Sequence, residues 1–327
     1  MGVVEQVVIT GAGSELARRL KEDRVPVHQI TWRIGLDPRV LPAAIAEMRA
    51  GGSLLHAHDA HAVTLADLST RFTQTPFIAT RRVDFHLRRP GAWKRARRII
   101  AISRAVSDVL RADGIPADRI DVIPSGISID DVRAATPLDV RKRLGLRADI
   151  KLAVNVAALV GHKDHATLLR AADALRTRHP DLHWVVAGEG PLRPEIERLR
   201  AELDLVTRVH LLGHIPDPVR LIGDADVYVM SSSQEGLGTS VLDAMARGIP
   251  VASTDAGGLP DLLAHGAGLL APVGDSSALA DAVHQILTDT GLRTALIAQS
   301  EMTVQRFTTR RMADDAVSVY RSCVSFP

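Results

Sequence analysis

Two acidic residues and a glycine-rich loop in the second half of the chain could together bind a phosphorylated sugar. Glu235 precedes Gly236-Leu237-Gly238, and the amphipathic helix that begins near Thr239 carries Asp243. The loop amides and the positive end of the helix favour an anion such as phosphate. Glu235 cannot neutralise a phosphate, so we expect it to face hydroxyl groups, whereas Asp243, about one turn into the helix, can reach a ribose diol. The segment therefore predicts a nucleotide-sugar site.

The same segment resembles the signature of the retaining GT-B glycosyltransferases of the group 1 or family 4 type. That signature is Ser-Glu-Gly-x-Gly, four residues, then Glu-Ala-Met-Ala-x-Gly-x-Pro-Val, and this chain has Asp243 in place of the second glutamate. The resemblance implies that Glu235 contacts the donor sugar and Asp243 the ribose. It also implies that donor-binding residues line the loop and the start of the helix, namely Leu237, Gly238, Thr239 and Ser240.

A lysine further upstream matches another landmark of this family. The stretch Asn155–His165 resembles the block Gly-Arg-Leu-x-x-x-Lys-Gly, in which the lysine meets the donor diphosphate. The resemblance implies this role for Lys163, whereas Ala158 stands at the position of the arginine. We therefore expect Lys163 and Glu235 to be the catalytic residues.

Two predicted strand ends supply the remaining donor-binding residues. Gly188 and Gly190 lie in a turn that matches the family's Gly-x-Gly-Pro. His214 and Ile215 follow a strand whose end, in the family, reads the nucleotide base through its backbone. The resemblance implies that all four residues bind the donor.

Histidines and an aspartate cluster at the end of a short strand in the first half. His56-Ala57-His58-Asp59 resembles the family's His-x-His-Asp strand end, which lines the acceptor cleft, and we assign His58 and Asp59 to that cleft. His56 is either a hydrogen-bonded core residue or a part of the cleft. The histidines alternate along a strand end and do not converge on one point, so we expect no metal site here.

Arg81 and Arg82 follow the next predicted strand and complete the acceptor-cleft set. Many family members place a histidine at the position of Arg82, where it contacts the donor sugar. A guanidinium can instead bind a donor phosphate or an anionic acceptor through two parallel hydrogen bonds. Residues 81–98 hold eight Lys or Arg residues and one acid, Asp84. This basic region is either a solvated surface or a contact with anionic lipid or a phosphorylated acceptor.

Two further motifs suggest other chemistry and are discounted. Gly11-Ala12-Gly13-Ser14 follows a strand and opens a helix, as in short-chain dehydrogenases, but the later glycines and the Tyr-x-x-x-Lys pair of that family are absent. An ordinary strand-to-helix turn accounts for this motif, and NAD binding there would support the dehydrogenase. Asp224-Ala225-Asp226 mimics the metal-binding Asp-x-Asp of other glycosyltransferases, but it precedes a buried strand and we assign it a structural role.

Short apolar runs alternate with amphipathic stretches along the whole chain, which predicts α/β units with parallel strands covered by helices on both faces. We place an acceptor-side Rossmann-like domain at residues 1–130, a nucleotide-sugar-binding one at 131–305 and a C-terminal helix at 306–327 that crosses back to the first domain. The resemblance implies the GT-B class, in which two doubly wound Rossmann-like domains face each other across a cleft. Residues 7–27 resemble the second strand, second helix and third strand, so we expect the first βα unit, about 30 residues, to be absent.

The bulk composition excludes several other classes. The 327 residues are 46% apolar and 24% charged, with a net charge of +2. This small net charge does not indicate nucleic acid as a partner. No apolar run reaches the ~18 residues of a membrane helix, and the N-terminus lacks the pattern of a signal peptide. Cys323 is the single cysteine, which excludes an internal disulfide and a cysteine-based zinc site. We expect a cytoplasmic protein, and peripheral contact with the inner face of the membrane through residues 81–98 stays open.

Together these observations predict transfer of a sugar from a UDP- or GDP-linked donor to a hydroxyl acceptor, either a glycan, a lipid or a small molecule. No cofactor and no metal ion are expected. No residue matches a general base for inversion or a nucleophile for a covalent intermediate, so we expect retention by front-face attack. The alternative is a nucleotide-sugar-binding protein without activity, because the first domain is shortened and Ala158 and Asp243 depart from the family pattern.

Overall fold

The computed structural model describes residues 5–31 and 37–324, and the chain divides into two compact α/β units. Unit 1 comprises residues 1–123 and 313–327, and unit 2 comprises residues 124–312. Both ends of the predicted second domain, at residues 131 and 305, lie inside unit 2.

Unit 1 alternates short strands with helices. Its strands are β1 (Val8–Gly11), β2 (Val27–Ile30), β3 (Leu55–Ala57), β4 (Phe77–Arg81), β5 (Arg98–Ala101) and β6 (Ile120–Val122). Its helices are α1 (Glu15–Glu22), α2 (Val40–Arg49), α3 (Ala60–Thr70), α4 (Pro90–Trp93) and α5 (Arg104–Ala112).

The strand pairs of unit 1 are parallel and form two sheets. β1 pairs with β2, and β3, β4, β5 and β6 pair in that order. Ile78 on β4 and Ile99 on β5 are fully buried, as expected for parallel strands covered on both faces. Polar side chains fix where helices begin: the oxygens of Ser14, Asp59 and Ser103 accept hydrogen bonds from backbone amides of the first turns of α1, α3 and α5.

Unit 2 repeats the strand–helix alternation on a larger scale. Its strands are β7 (Lys151–Val156), β8 (Leu182–Ala187), β9 (Val209–Gly213), β10 (Val227–Met230), β11 (Val251–Thr254) and β12 (Leu269–Ala271). Its helices are α6 (Ile129–Ala134), α7 (Val140–Arg143), α8 (His165–Leu175), α9 (Arg193–Glu202), α10 (Pro218–Ile222), α11 (Thr239–Ala246), α12 (Leu259–Leu262), α13 (Ser276–Thr288) and α14 (Thr290–Val304).

The sheet of unit 2 has the strand order β12-β11-β10-β7-β8-β9, with parallel pairing throughout. The chain builds outwards in one direction from β7 to β9 and then in the other from β10 to β12, so the order reverses between β7 and β10. In open sheets of this kind, ligands bind outside the carboxyl ends of the strands at the reversal, the topological switch point. The predicted doubly wound α/β fold is confirmed.

The last helix, α15 (Thr309–Cys323), begins in unit 2 and continues into unit 1. Near its start, Gly126 packs so closely that an added Cβ would lie 2.3 Å from the carbonyl oxygen of Thr308. Near its end, within unit 1, the Tyr320 hydroxyl lies 2.8 Å from the Nδ1 atom of His56. Within the described ranges, no helix has both the length and the apolar character needed to cross a bilayer.

Candidate functional site

Lys163 and Glu235 meet at the switch point of unit 2. Lys163 ends a short turn of 3-10 helix after β7, and Glu235 lies in the loop after β10, the neighbouring strand. Their side chains form an ion pair and are only 16% and 13% exposed. Because the carboxyl ends of parallel strands meet at one edge of a sheet, the fold brings together a cation and an acid that the sequence analysis assigned to one ligand.

The loops that carry this pair are held by hydrogen bonds to one another. The Ser231 hydroxyl donates to the carbonyl oxygen of Lys163 at 2.9 Å, and the Ser233 amide donates to the carbonyl oxygen of His162 at 2.8 Å. The Gly258 amide donates to the carbonyl oxygen of Glu235, also at 2.9 Å. The loops after β7, β10 and β11 therefore form one frame, which keeps the charged side chains in place.

The glycine-rich loop reaches α11 through a residue that must be glycine. Gly238 has φ +93°, and an added Cβ would lie 2.7 Å from Cδ2 of Leu259. Thr239 is exposed at the first position of α11, where backbone amides lack helical partners. Leu237 is buried in the core, so a ligand could reach its backbone only. The Ser240 hydroxyl donates to the carbonyl oxygen of Val156 at 3.3 Å.

Asp243 lies one helical turn beyond Thr239 on α11. Burial, and then the nearby charge of Asp217, raise the pKa of the Asp243 carboxyl to about 6. In the part of the chain that the structure describes, no amide or side chain donates a hydrogen bond to this carboxylate. A desolvated carboxylate without a protein donor is suited to the hydroxyl donors of a diol.

Gly188 and Gly190 permit a close backbone approach. A Cβ at Gly188 would lie 1.9 Å from the carbonyl oxygen of Ala157, and one at Gly190 would lie 2.3 Å from that of Leu159. These glycines therefore let the turn after β8 pack against the loop that leads to Lys163, a role that the sequence analysis missed. His214 is exposed and Ile215 half-buried, directly after β9.

In unit 1, His56 is a half-buried residue with both ring nitrogens in hydrogen bonds. Its Nδ1 and Nε2 atoms lie 2.8 Å from the Tyr320 hydroxyl and 2.7 Å from the Thr80 hydroxyl. Burial, with smaller effects from His58 and Arg82, lowers the pKa of His56 to about 3, so the ring is neutral. The His58 ring lies 4.0 Å from that of His56 between centroids and is exposed.

The other residues assigned to the acceptor cleft are Asp59, Arg81 and Arg82, and their surroundings differ. Asp59 caps α3, because its carboxylate accepts from the Ala62 amide at 2.8 Å. The Arg81 guanidinium donates to the carbonyl oxygen of Phe85 at 2.5 Å and lies 5.5 Å from the centroid of the Trp93 ring. Arg82 is exposed. Asp59 and Arg81 thus have local structural partners, whereas the Arg82 side chain faces solvent.

The carboxylates of the Asp-x-Asp motif form hydrogen bonds and ion pairs with other groups of the protein. Asp224 accepts hydrogen bonds from the backbone amides of Leu138 and Val140. Asp226 pairs with Arg141 and Lys151 at the amino end of β7, away from the strand ends that carry Lys163 and Glu235. Both aspartates therefore fasten the segment before β7 to the segment before β10.

Comparison with known proteins identifies two family models. The model described as "Glycosyl transferases group 1" matches residues 139–302, half of the chain. The model described as "Glycosyltransferase Family 4" matches residues 3–131. The two matches correspond to unit 2 and to most of unit 1.

Individual relatives agree with the family models. A putative glycosyltransferase of Bacillus subtilis, EpsD, is 32% identical over 220 residues, which are 65% of this chain and 58% of that protein. The 2-deoxystreptamine glucosyltransferase of Streptomyces kanamyceticus is 29% identical over 88% of this chain and 86% of its own length. The crystal structure of Anabaena Alr3699/HepE in complex with UDP has a TM-score of 0.84 at 19% identity and covers 97% of this chain and 99% of that one.

The chain spans between 51% and 58% of the length of the first three curated relatives that it matches. The structural likeness extends over both units, and the fold is that of the two-domain Rossmann-like GT-B proteins. By the match of its second half, this chain belongs to the group 1 glycosyltransferase family.

Proposed function

We propose that this chain is a glycosyltransferase that moves a sugar from a UDP- or GDP-linked donor to a hydroxyl acceptor. The observation that carries the proposal is the Lys163–Glu235 pair at the switch point, next to the amino end of α11. A diphosphate at this place would receive the Lys163 ammonium and the free amides of α11. Glu235 would accept hydrogen bonds from sugar hydroxyls, and Asp243 from the ribose.

The transfer proceeds with retention in this proposal. The acceptor oxygen forms a bond to the anomeric carbon on the face that the diphosphate leaves, and the bond from that carbon to the diphosphate oxygen breaks with its electron pair. The acceptor proton passes to an oxygen of the departing diphosphate. Lys163 and the α11 amides stabilise the charge that develops there, which removes the need for a metal ion.

A donor panel tests the proposal. The chain is incubated with UDP-glucose, UDP-galactose, UDP-N-acetylglucosamine, GDP-mannose and GDP-fucose, with and without EDTA, and released nucleotide is measured beside calorimetric binding of UDP and GDP. The proposal is supported if EDTA does not change the amount of released nucleotide. It also requires an NMR spectrum in which the product keeps the anomeric configuration of the donor. Binding without release supports the inactive nucleotide-sugar-binding protein instead. Absence of binding by both nucleotides contradicts both ideas.

We further propose that the acceptor or its carrier lies at an anionic membrane surface, and that the protein is cytoplasmic and peripheral. Among the described residues, no acid pairs with five exposed cations of the basic region: Arg82, Arg88, Arg89, Lys94 and Arg97. Each cation near an anionic leaflet contributes about 1 kcal/mol. Val83, in the same stretch, is 36% exposed and adds apolar surface.

Flotation with vesicles tests this contact. We expect binding to vesicles that contain phosphatidylglycerol and none to pure phosphatidylcholine, with loss of binding above about 0.5 M salt. The triple variant Arg88→Ala, Arg89→Ala, Arg97→Ala should float at least tenfold less. A control with the same charge loss in unit 2, Arg143→Ala, Arg170→Ala, Arg306→Ala, should float like the wild type. Equal loss in both variants, or no flotation of the wild type, contradicts the contact.

A further inference from the structure

The pairing between β7 and β10 ends before β7 does. The register pairs Val227 with Ala153 and Tyr228 with Val154, and β7 then continues to Val156. In a parallel strand, alternate residues direct both backbone groups to the same neighbour. The Leu152 carbonyl accepts from the segment before β10, so the amide and carbonyl of Val156, four residues later, also point towards β10. Among the residues that the structure describes, no strand pairs with these two groups, because β7 and β10 diverge at the switch point.

Side chains take the place of the missing ladder bonds. The Val156 amide donates to the Tyr228 hydroxyl at 3.3 Å, and this hydroxyl lies 3.3 Å from the Val156 carbonyl oxygen, to which it donates. The Asn155 amide group donates to the Val229 carbonyl oxygen at 2.8 Å. Tyr228 is fully buried, so an unmade bond here could not be replaced by bulk water.

The same cluster reaches the helix that starts the candidate phosphate site. The Ser240 hydroxyl donates to the Val156 carbonyl oxygen at 3.3 Å, the same oxygen to which the Tyr228 hydroxyl donates. Ser240 is the second residue of α11, next to Thr239, whose end of the helix presents free amides. The Val156 carbonyl oxygen at the end of β7 therefore links the Tyr228 phenol to the first turn of α11.

We propose that Tyr228 is a positioning residue that holds the first turn of α11 against the end of β7, so that the α11 amides point at the donor diphosphate. The inference rests on the proposed function and deepens it. It also gives Ser240 a role that differs from the one implied by the family resemblance: its hydroxyl bonds inside the protein, to the Val156 carbonyl oxygen that Tyr228 also holds. Burial raises the pKa of Tyr228, so at physiological pH the phenol keeps its proton and can donate a hydrogen bond.

The substitution Tyr228→Phe removes the hydroxyl and keeps the ring. We expect the nucleotide that the wild type binds, UDP or GDP, to bind about tenfold more weakly in calorimetry. This is the effect expected when one hydrogen bond that orders the site is lost. The matched control is Ser300→Ala, which removes another fully buried hydroxyl of unit 2, one that donates to the Ala267 carbonyl oxygen at 2.6 Å. It should lower the melting temperature and leave nucleotide affinity unchanged. Wild-type affinity in Tyr228→Phe, or an equal loss in Ser300→Ala, overturns the inference.

A double-mutant cycle separates positioning from direct contact. Ser240→Ala should weaken nucleotide binding, and the double variant should lose less than the product of the two single losses, because both hydroxyls act through one cluster. Independent, multiplicative losses contradict the inference. If Tyr228→Phe fails to fold, Ser240→Ala tests the same bonds from the helix side, and wild-type affinity there overturns the inference. A wild type that binds neither UDP nor GDP refutes the proposed function itself, which is a different outcome from all of these.

Discussion

Lys163 and Glu235 form an ion pair across the switch point of unit 2, although they are 72 residues apart in the sequence. The pair is mostly buried, and a buried charge without a partner is costly. Each residue therefore balances the charge of the other and holds it in place. The ammonium would have a second anionic neighbour once a diphosphate binds, and the carboxylate would have sugar hydroxyls.

Replacement of Lys163 by alanine should lower turnover about 10²-fold or more, the usual effect of losing one preorganised donor to developing charge. The measurement is nucleotide release under saturating donor. Lys151→Ala is the control, since Lys151 also pairs with an aspartate, Asp226, but at the amino end of β7. Full activity of Lys163→Ala would exclude the proposed role of this lysine.

The substitution Glu235→Gln should separate nucleotide binding from sugar transfer. It removes a negative charge beside the diphosphate site and releases Lys163, so we expect UDP or GDP to bind at least as tightly as in the wild type. The weaker amide contact to the sugar should lower kcat/KM about tenfold or more. Calorimetry and nucleotide release measure the two effects. If nucleotide affinity falls in parallel with kcat/KM, Glu235 supports the phosphate site and does not contact the sugar.

The sequence predicted the second unit more completely than the first. In unit 2, each strand is followed by a short loop and a helix with regular apolar spacing, so the residues after β7 and β10 could be placed at one edge. The contact between Lys163 and Glu235 could not be predicted, because the pattern assigned both to groups of a ligand. The hydroxyl of Ser240 was assigned to the ligand for the same reason, and its bond to Val156 depends on where two strands diverge.

In unit 1, charged residues interrupt the apolar pattern from which strands are predicted. β5 begins at Arg98, inside the basic region, and its charge is balanced by Asp121 on β6, whose Oδ2 atom lies 2.8 Å from Nε of Arg98. An arginine at the start of a strand breaks the apolar run that predicts the strand. Asp59 carried a local signal that could have been used: an aspartate directly before a helix is a preferred cap, and α3 begins at the next residue.

Acid should weaken nucleotide binding through Asp243. Its pKa of about 6 means that the carboxylate is ionised at pH 8 and largely protonated at pH 5. The ionised form accepts hydrogen bonds from ribose hydroxyls, so nucleotide affinity should fall as the pH drops through about 6. A phosphate also titrates near this pH. The quantity to measure is therefore the difference between the wild type and Asp243→Asn, and an identical pH dependence in both would rule out the contribution of Asp243.

The same pKa shift predicts the sign of a stability change. The pKa of Asp243 is raised from 3.8, so the folded state binds more protons than the unfolded state between the two values. This group's contribution to stability therefore falls as the pH rises from about 4 to about 6, and is constant above. Asp243→Asn should accordingly raise the melting temperature at pH 7 and change it little at pH 4. A lower melting temperature for the variant at pH 7 would contradict the raised pKa.

Substitution of Gly188 by alanine should disrupt the site through the backbone. The new Cβ would lie 1.9 Å from the Ala157 carbonyl oxygen, so the loop that leads to Lys163 must move. We expect a loss of about 3 kcal/mol or more in unfolding free energy, together with weaker nucleotide binding. Gly274→Ala is the matched control, because Gly274 also has a positive φ, +79°, but no atom of the described residues lies within 4 Å of an added Cβ. It should lose about 1 kcal/mol from backbone strain and keep nucleotide affinity. Chemical denaturation and calorimetry compare the two variants, and equal losses in stability would show that strain at φ, and not the contact with Ala157, decides the effect.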